Sequence, residues 1–431
     1  MNKNMIRIIF AYVLLNMSLA AYLENIPVKL YQPDGSFIDC FATGDEFYSR
    51  IHDIDNYTII QHPTNGYYYY ATNNNNNIAP SVFRVSDNPA RDFLVSDIRI
   101  SKEEYLFRRN LYKQGRERRD APTFGAINNI NIFIRFADEE EFVFPRSSYD
   151  WQFNNLEGPS LNHYFLEVSN SNLEVNTLHY PECSMDENIS YQDFYPRSYY
   201  QVHHPQTNLN GYFECPQWNE EDSDINCNEI DSTQWRSHRE HMLLKNAVDF
   251  IESEVPHDLD VDANDDGYVD NVTFLVNGSP AGWSDLLWPH RWSLYLYDAY
   301  INGALVDGYN VNLSSGGYFT VGVLCHEFGH SLGAPDFYRY YDDSTTPLGE
   351  WDLMAHNASP NPQYPSAWVQ YRYFDWIDCP QISESGTYQL NALTDHENHC
   401  YLVESPNSEK EHFILEYRKH SGAYDSNLPV N

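Results

Sequence analysis

Two histidines four residues apart flank a glutamate in the run His326-Glu327-Phe328-Gly329-His330. On a helix, positions i and i+4 lie one turn apart on the same face, so both imidazoles point one way. Paired imidazole nitrogens in that arrangement can share a zinc ion. Glu327 sits beside the first histidine, where a carboxylate can take a proton from a zinc-bound water as that water attacks a peptide carbonyl. Gly333 ends the helix, because glycine readily adopts the left-handed conformation found at helix C-termini. The chain then turns, and Asp336 arrives six residues after His330 as the candidate third ligand. Asp336 bracing the loop is the alternative, with Glu350 an available carboxylate for the third position. The pentapeptide alone also fits a core helix with one polar face. The second motif, Gly349-Glu350-Trp351-Asp352-Leu353-Met354-Ala355, argues against that, since it reads as a tight turn placing Met354 beneath the histidines.

A second run suggests a different metal. Asp262-Ala263-Asn264-Asp265-Asp266-Gly267-Tyr268-Val269-Asp270 follows the first nine positions of a calcium loop. Side-chain oxygens of Asp262, Asn264, Asp266 and Asp270 would alternate around a hard cation, with the Tyr268 backbone carbonyl between them and Gly267 at the sharp turn. The twelfth position is Thr273 rather than glutamate, and a strand follows. The loop is therefore not half of a helix-loop-helix pair. An acidic solvated turn is the plainer reading.

The chain that carries these motifs has 431 residues, is 42% hydrophobic and 16% aromatic, and contains 35 tyrosines. That is enough for two or three domains and a sizeable core. The formal charge of −36 excludes a general nucleic-acid-binding role, which needs a basic surface. Lys3 and Arg7, the apolar run Ile8 to Leu15 and the small-residue site Ser18-Leu19-Ala20 read as an export signal over residues 1–20. The apolar run is too short to span a bilayer, and no later stretch is long enough, so no stable membrane insertion is expected after signal removal. Seven cysteines leave at least one unpaired. Cys215–Cys227 and Cys379–Cys400 are the candidate disulfides, and Cys325 reads as a buried apolar thiol.

Residues 21–120 read as a small strand-rich region, with Asn73 to Asn77 as a polar loop. A basic stretch from Arg108 to Arg119 then suggests a cleavable linker, or else a solvated helix. Residues 121–380 carry alternating strand and helix patterns. Strands are expected at Ile130–Phe136, Leu173–Val175 and Val272–Val276, and helices at 160–168, 239–254 and 319–332. Residues 381–431 turn to a β pattern, with strands expected at Thr387–Leu390, Cys400–Val403 and Phe413–Tyr417. The fold class is α+β.

The stretch from Gly322 through Tyr338, together with Trp351-Asp352-Leu353-Met354-Ala355, resembles the immune inhibitor A family of secreted bacterial metalloproteases. Other segments are similar to that family too: Asp34-Gly35, Gly44-Asp45-Glu46-Phe47, Asp266 to Val272 and Trp288-Pro289-His290-Arg291-Trp292. The resemblance covers nearly the whole chain after the signal. It implies a zincin or metzincin-like catalytic domain over 121–380, preceded by a β-rich propeptide and followed by a partial β-rich segment. It further implies a secreted zinc endopeptidase made as a zymogen, acting on proteins or peptides, with zinc on His326, His330 and Asp336, Glu327 as base and Met354 in the Met-turn. Metzincins usually place a histidine where this chain has Asp336. Relatives typically continue beyond the point where this chain stops, so it reads as truncated at Asn431.

Two other functions compete with this one. The first is a catalytically inactive or calcium-dependent adhesive protein that keeps the fold, which intact Glu327 argues against. The second is a zinc hydrolase acting on something other than peptides. Within the zymogen reading, a Cys40 thiolate is one candidate for a blocking ligand on zinc, but a small buried thiol is the commoner state of such a cysteine.

Overall fold

The computed structural model describes residues 22–45, 47–74, 77–111, 120–213, 230–280, 286–339, 347–355, 361–395, 399–408 and 411–428. The signal segment, the Arg116–Arg119 region and the Cys215–Cys227 pair lie outside these residues.

The N-terminal part of the described chain builds an antiparallel meander. Its strands are β1 (Leu23–Tyr31), β2 (Phe37–Gly44), β3 (Ser49–His52), β4 (Thr58–Gln61), β5 (Tyr68–Asn74) and β6 (Asn77–Arg84), paired in sequence order. Short connections favour this neighbour-to-neighbour pairing. The expected polar loop at Asn73–Asn77 is corrected here. Asn73 and Asn74 close β5 and Asn77 opens β6, with Asn73 opposite Ile78 and Asn74 opposite Asn77. Backbone pairing across the hairpin outweighs the weak strand propensity of asparagine. Helix α1 (Lys102–Leu111) follows.

Among the described residues a second sheet has six strands. Strand β7 (Gly125–Arg135) leads into α2 (Arg146–Asn154), α3 (Leu161–Val168), β8 (Leu173–Tyr180) and the two-residue β9 (Tyr191–Gln192), which also pairs with β7. After α4 (Arg236–Ile251) come β10 (Val272–Val276), β11 (His290–Ser293), the short hairpin β12 (Tyr300–Ile301) and β13 (Ala304–Leu305), and β14 (Gly308–Leu313). Strands β8, β7, β10 and β14 run parallel, and β11 is antiparallel at the edge. Long connections with helices permit the parallel pairing.

Side chains alternate between the faces of a strand. Ile130, Ile132, Val272, Phe274, Tyr309 and Val311 share one core with Leu243, Leu244 and Val248 of α4. On the other face, Phe133 and Leu275 join a core with α2, α3 and the helix α5 (Val321–Ser331). The face toward α5 is unusually polar, carrying Asn129, Asn131, Thr273, Asn310 and Asn312, all buried.

Behind the sheet, His290 Nε2 meets Glu240 Oε1 at 2.7 Å, and Tyr309 Oη donates to the same oxygen at 2.7 Å. Burial alone would raise the Glu240 carboxyl, but His290 beside it holds it down to about 2. The ordinary value is 4.5, so Glu240 contributes stability above about pH 4.5 that is lost as pH falls through about 2. The contribution is on the order of 3 kcal/mol. Glu240→Gln is expected to lack that part of the acid dependence. Denaturant midpoints measured stepwise from pH 6 to pH 2 test this, and identical slopes in parent and variant would exclude it.

The C-terminal part holds α6 (Ala367–Val369) and the hairpin of β15 (Cys400–Glu404) and β16 (His412–Glu416). Cys379 and Cys400 form a disulfide, while Cys40, Cys183 and Cys325 are free thiols. The strand expected at Thr387–Leu390 is absent, since those residues have no regular structure. Arg418 fastens this part to the Met354 loop: its Nη1 donates to the Trp351 carbonyl at 2.6 Å, and its Nη2 pairs with Asp425 Oδ1 at 2.6 Å.

Candidate metal centre and its surroundings

Helix α5 begins at Thr320, whose hydroxyl accepts the Val323 amide at 3.2 Å as an N-cap. All eleven residues of the helix are buried. Gly329 lies between the histidines where Met354 packs. A Cβ at Gly329 would sit 2.8 Å from Met354 Sδ, so a side chain there would require the methionine to shift. Gly333, at φ +106°, turns the chain out of the helix in a conformation unfavourable for residues with a Cβ. The Phe337 amide then donates to the Met354 carbonyl at 2.8 Å, tying the Asp336 arm to the Met354 turn.

Three ligand atoms converge here. His326 Nε2 and His330 Nε2 are 2.9 Å apart, and Asp336 Oδ1 lies 3.1 Å from the first and 3.4 Å from the second. The tautomers follow from the other ring nitrogens. His326 Nδ1 is 2.9 Å from the Leu353 carbonyl and His330 Nδ1 is 2.7 Å from the Ala334 carbonyl. A carbonyl oxygen can only accept, so each Nδ1 carries the proton. Each Nε2 then presents a lone pair to the other and to a carboxylate. Such a gathering of electron-rich atoms in a buried place calls for a cation. Tetrahedral zinc with bonds near 2.0–2.1 Å puts its ligand atoms about 3.3 Å apart, so the donor set fits zinc. Burial moves His330 down to about 4, against the pull of Asp336. Burial also opposes charge on His326 and Asp336. The Asp336 carboxylate nevertheless raises His326, and the two histidines hold Asp336 down to about 2. Among the described residues, these three form the one group of His, Cys, Asp or Glu side chains gathered for a metal. Glu350 is exposed and outside it. Glu327 is fully buried on the same helix.

A carboxyl beside the N-terminal sheet lies near enough to this cluster to feel the Asp336 charge, and the sequence offered it only as part of a family-like segment, with no role. Asp45 follows β2, and its Oδ1 accepts the amides of Phe47 and Tyr48 at 3.0 Å each. Its Oδ2 accepts the Tyr105 hydroxyl at 2.5 Å. Burial pushes the Asp45 carboxyl up, and the negative charge of Asp336 adds to the push. Other contacts hold the sheet in place. Ile26 abuts Gly317, just before α5, and the Tyr22 and Tyr338 rings lie 5.6 Å apart. Cys40 is the small buried thiol and not a blocking ligand: it donates to the Val28 carbonyl within the sheet, burial pushes its thiol up to about 12, and it is not part of the gathered group.

The acidic loop closes on itself. Asp262 accepts the amides of Asp266 at 2.9 Å and Gly267 at 2.8 Å, Asn264 accepts that of Asp266 at 3.2 Å, and Asp266 accepts that of Tyr268 at 3.0 Å. Asp270 Oδ2 accepts the Ala263 amide at 3.0 Å, placing its carboxylate over the loop. Its other oxygen is buried without a hydrogen-bond partner, and the residue is 8% exposed. Tyr268 pairs with Leu305 in an isolated bridge.

Taken together, a mixed helix-and-sheet fold presents two histidines and an aspartate from a buried helix and the turn after it, with a glutamate alongside. Metal-dependent hydrolases have these features. Residues 219–360 match the family model described as the immune inhibitor A peptidase M6 catalytic domain, so over that segment the resemblance read from the motifs is borne out and the chain carries a peptidase domain. A search of curated proteins finds no match.

Proposed function

We propose that this chain is a zinc-dependent endopeptidase, exported and made as a zymogen. The observation that carries the reading is the convergence of the Nε2 atoms of two Nδ1-protonated histidines with Asp336, at the end of a helix that also carries Glu327. His326, His330 and Asp336 hold the metal, and Met354 packs under the helix between the histidines. Zinc bound there supplies a Lewis acid that polarises a peptide carbonyl and makes water more acidic. Glu327 takes the proton of the attacking water and returns it to the leaving nitrogen. The burial of α5 away from water strengthens both charge interactions.

Export is supported by the Cys379–Cys400 disulfide, a bond favoured in oxidising compartments, and by the signal-like first twenty residues. No helix among the described residues is long and apolar enough to cross a membrane. Zymogen latency is supported by the N-terminal sheet packed beside the cluster. Calcium in the 262–270 loop is supported by the unpartnered Asp270 oxygen among the neighbouring carboxylates of Asp260, Asp262 and Asp266.

Purified protein is expected to contain about one zinc per chain, as one such site requires. His330→Ala is expected to lose that zinc together with chelator-sensitive casein hydrolysis. Elemental mass spectrometry provides the measurement. Folded parent protein with a zinc content near zero, unrestored by added zinc, would sink the proposal.

A further inference from the structure

The polar face of the sheet beneath α5 joins the acidic loop to the metal-bearing helix. Asn271, fully buried, directly follows Asp270 and precedes β10. Its Oδ1 accepts the Ser331 hydroxyl at 2.7 Å, and Ser331 adjoins His330 at the end of α5. The same hydroxyl lies 3.3 Å from Asn310 Oδ1, and Asn310 Nδ2 donates to the Glu327 carbonyl at 2.8 Å. On the other side, Asn271 Nδ2 donates to Asn129 Oδ1 at 2.7 Å, and Thr273 Oγ1 donates to that oxygen at 3.1 Å.

This network fixes the orientation of its amides. Asn310 presents nitrogen to a carbonyl at one end and therefore oxygen to Ser331 at the other. Asn271 presents oxygen to Ser331 because its nitrogen faces Asn129. Buried amides are costly unless paired, and a fully paired set is rigid. A shift of Asp270 is a shift of its neighbour Asn271, and Asn271 holds the turn of α5 that carries His330. Asp270 also closes the neck of the loop, its amide donating to the Val261 carbonyl at 2.8 Å.

We infer that Asn271 and Ser331 are positioning residues that transmit occupancy of the 262–270 loop by calcium to the His326–His330–Asp336 cluster, so that calcium tightens zinc binding. This rests on the proposed zinc and calcium sites. Neither residue touches substrate or metal. They act by setting where the last turn of α5 sits, as outer-shell hydrogen bonds do for metal ligands.

The test uses the full chain stripped of metal, and three measurements distinguish the outcomes. Calcium alone is added and the melting temperature followed. Zinc affinity is measured against a chromophoric chelator with and without saturating calcium. The visible spectrum of the cobalt-substituted protein is recorded in both states. In the parent, calcium is expected to raise the melting temperature, tighten zinc about tenfold and shift the cobalt spectrum, a coupling within the usual allosteric range. In Ser331→Ala, calcium is expected still to raise the melting temperature while its effect on zinc affinity and on the cobalt spectrum falls away. A parent that is stabilised by calcium yet binds zinc equally well with and without it overturns the coupling and leaves the loop site standing. A Ser331→Ala variant with undiminished coupling overturns the assigned route. No thermal response to calcium in the parent removes the loop site and the inference with it. Failure of zinc to bind at all refutes the underlying function as well. The parent measurements need no variant, so the inference remains falsifiable even if Ser331→Ala does not fold.

Discussion

Glu327→Gln is expected to bind zinc as the parent does and to lose about 10²–10⁴-fold in peptide hydrolysis, the range general-base removal produces. The amide keeps the volume of a side chain that is fully buried, so the helix is not left with a hole. It cannot take a proton from water, which is the one task the proposal gives Glu327. The two histidine rings are oriented by the Leu353 and Ala334 carbonyls rather than by Glu327, so the metal cluster does not depend on this carboxylate for its tautomers. Zinc content and casein hydrolysis measured on the same preparation decide the matter. A variant that keeps its zinc and cleaves at the parent rate would show that the base is some other group.

Separating residues 22–111 from the rest of the chain is expected to raise hydrolysis about 10²-fold, as for a closed form favoured by roughly 3 kcal/mol. His326, Glu327 and His330 are each 0% exposed, and a peptide cannot reach them there. Part of the cover is the N-terminal sheet, with Ile26 against Gly317, Tyr22 beside Tyr338 and Asp45 close enough to Asp336 for their charges to interact. Leu23, Ile26 and Leu30 share one apolar core with Trp288 and Tyr318, so the sheet does not lift without exposing that surface. The basic segment after α1 is the natural place to cut. Full-length protein treated sparingly with trypsin, with cleavage and casein hydrolysis followed together, provides the test. Full activity in the uncut chain would refute latency.

Where the sequence alone was sufficient, the relevant geometry was local. Helical period places His326 and His330 on one face, and a glycine followed by a short turn is enough to return Asp336 to them, which the structure does. The alternate carboxylates from Asp262 to Asp270 are local in the same way, as are the apolar runs that became β7, β10 and α4. Local pattern failed where partners were needed to decide. Asn73 to Asn77 reads as a polar loop, but Asn73, Asn74 and Asn77 lie in strands, because cross-strand backbone pairing supplies what side-chain propensity does not. Thr387 to Leu390 alternates like a strand and pairs with nothing as one.

What only the tertiary structure decided concerns residues far apart in the chain whose types are individually unremarkable. Asp45 is one aspartate among many until the sheet carries it near Asp336. Glu240 and His290, fifty residues apart, form a buried pair only because α4 packs behind β11 and β14. Asn129 and Asn310 lie within strands and Asn271 directly before one, and nothing in their local sequence assigns them a role. Their purpose follows from Ser331 standing above them, since a buried amide is stable only where another element supplies its partner. The metal ligands could be read because a helix sets their spacing. The groups that cover, brace and tune them could not, because long-range packing alone brings them together.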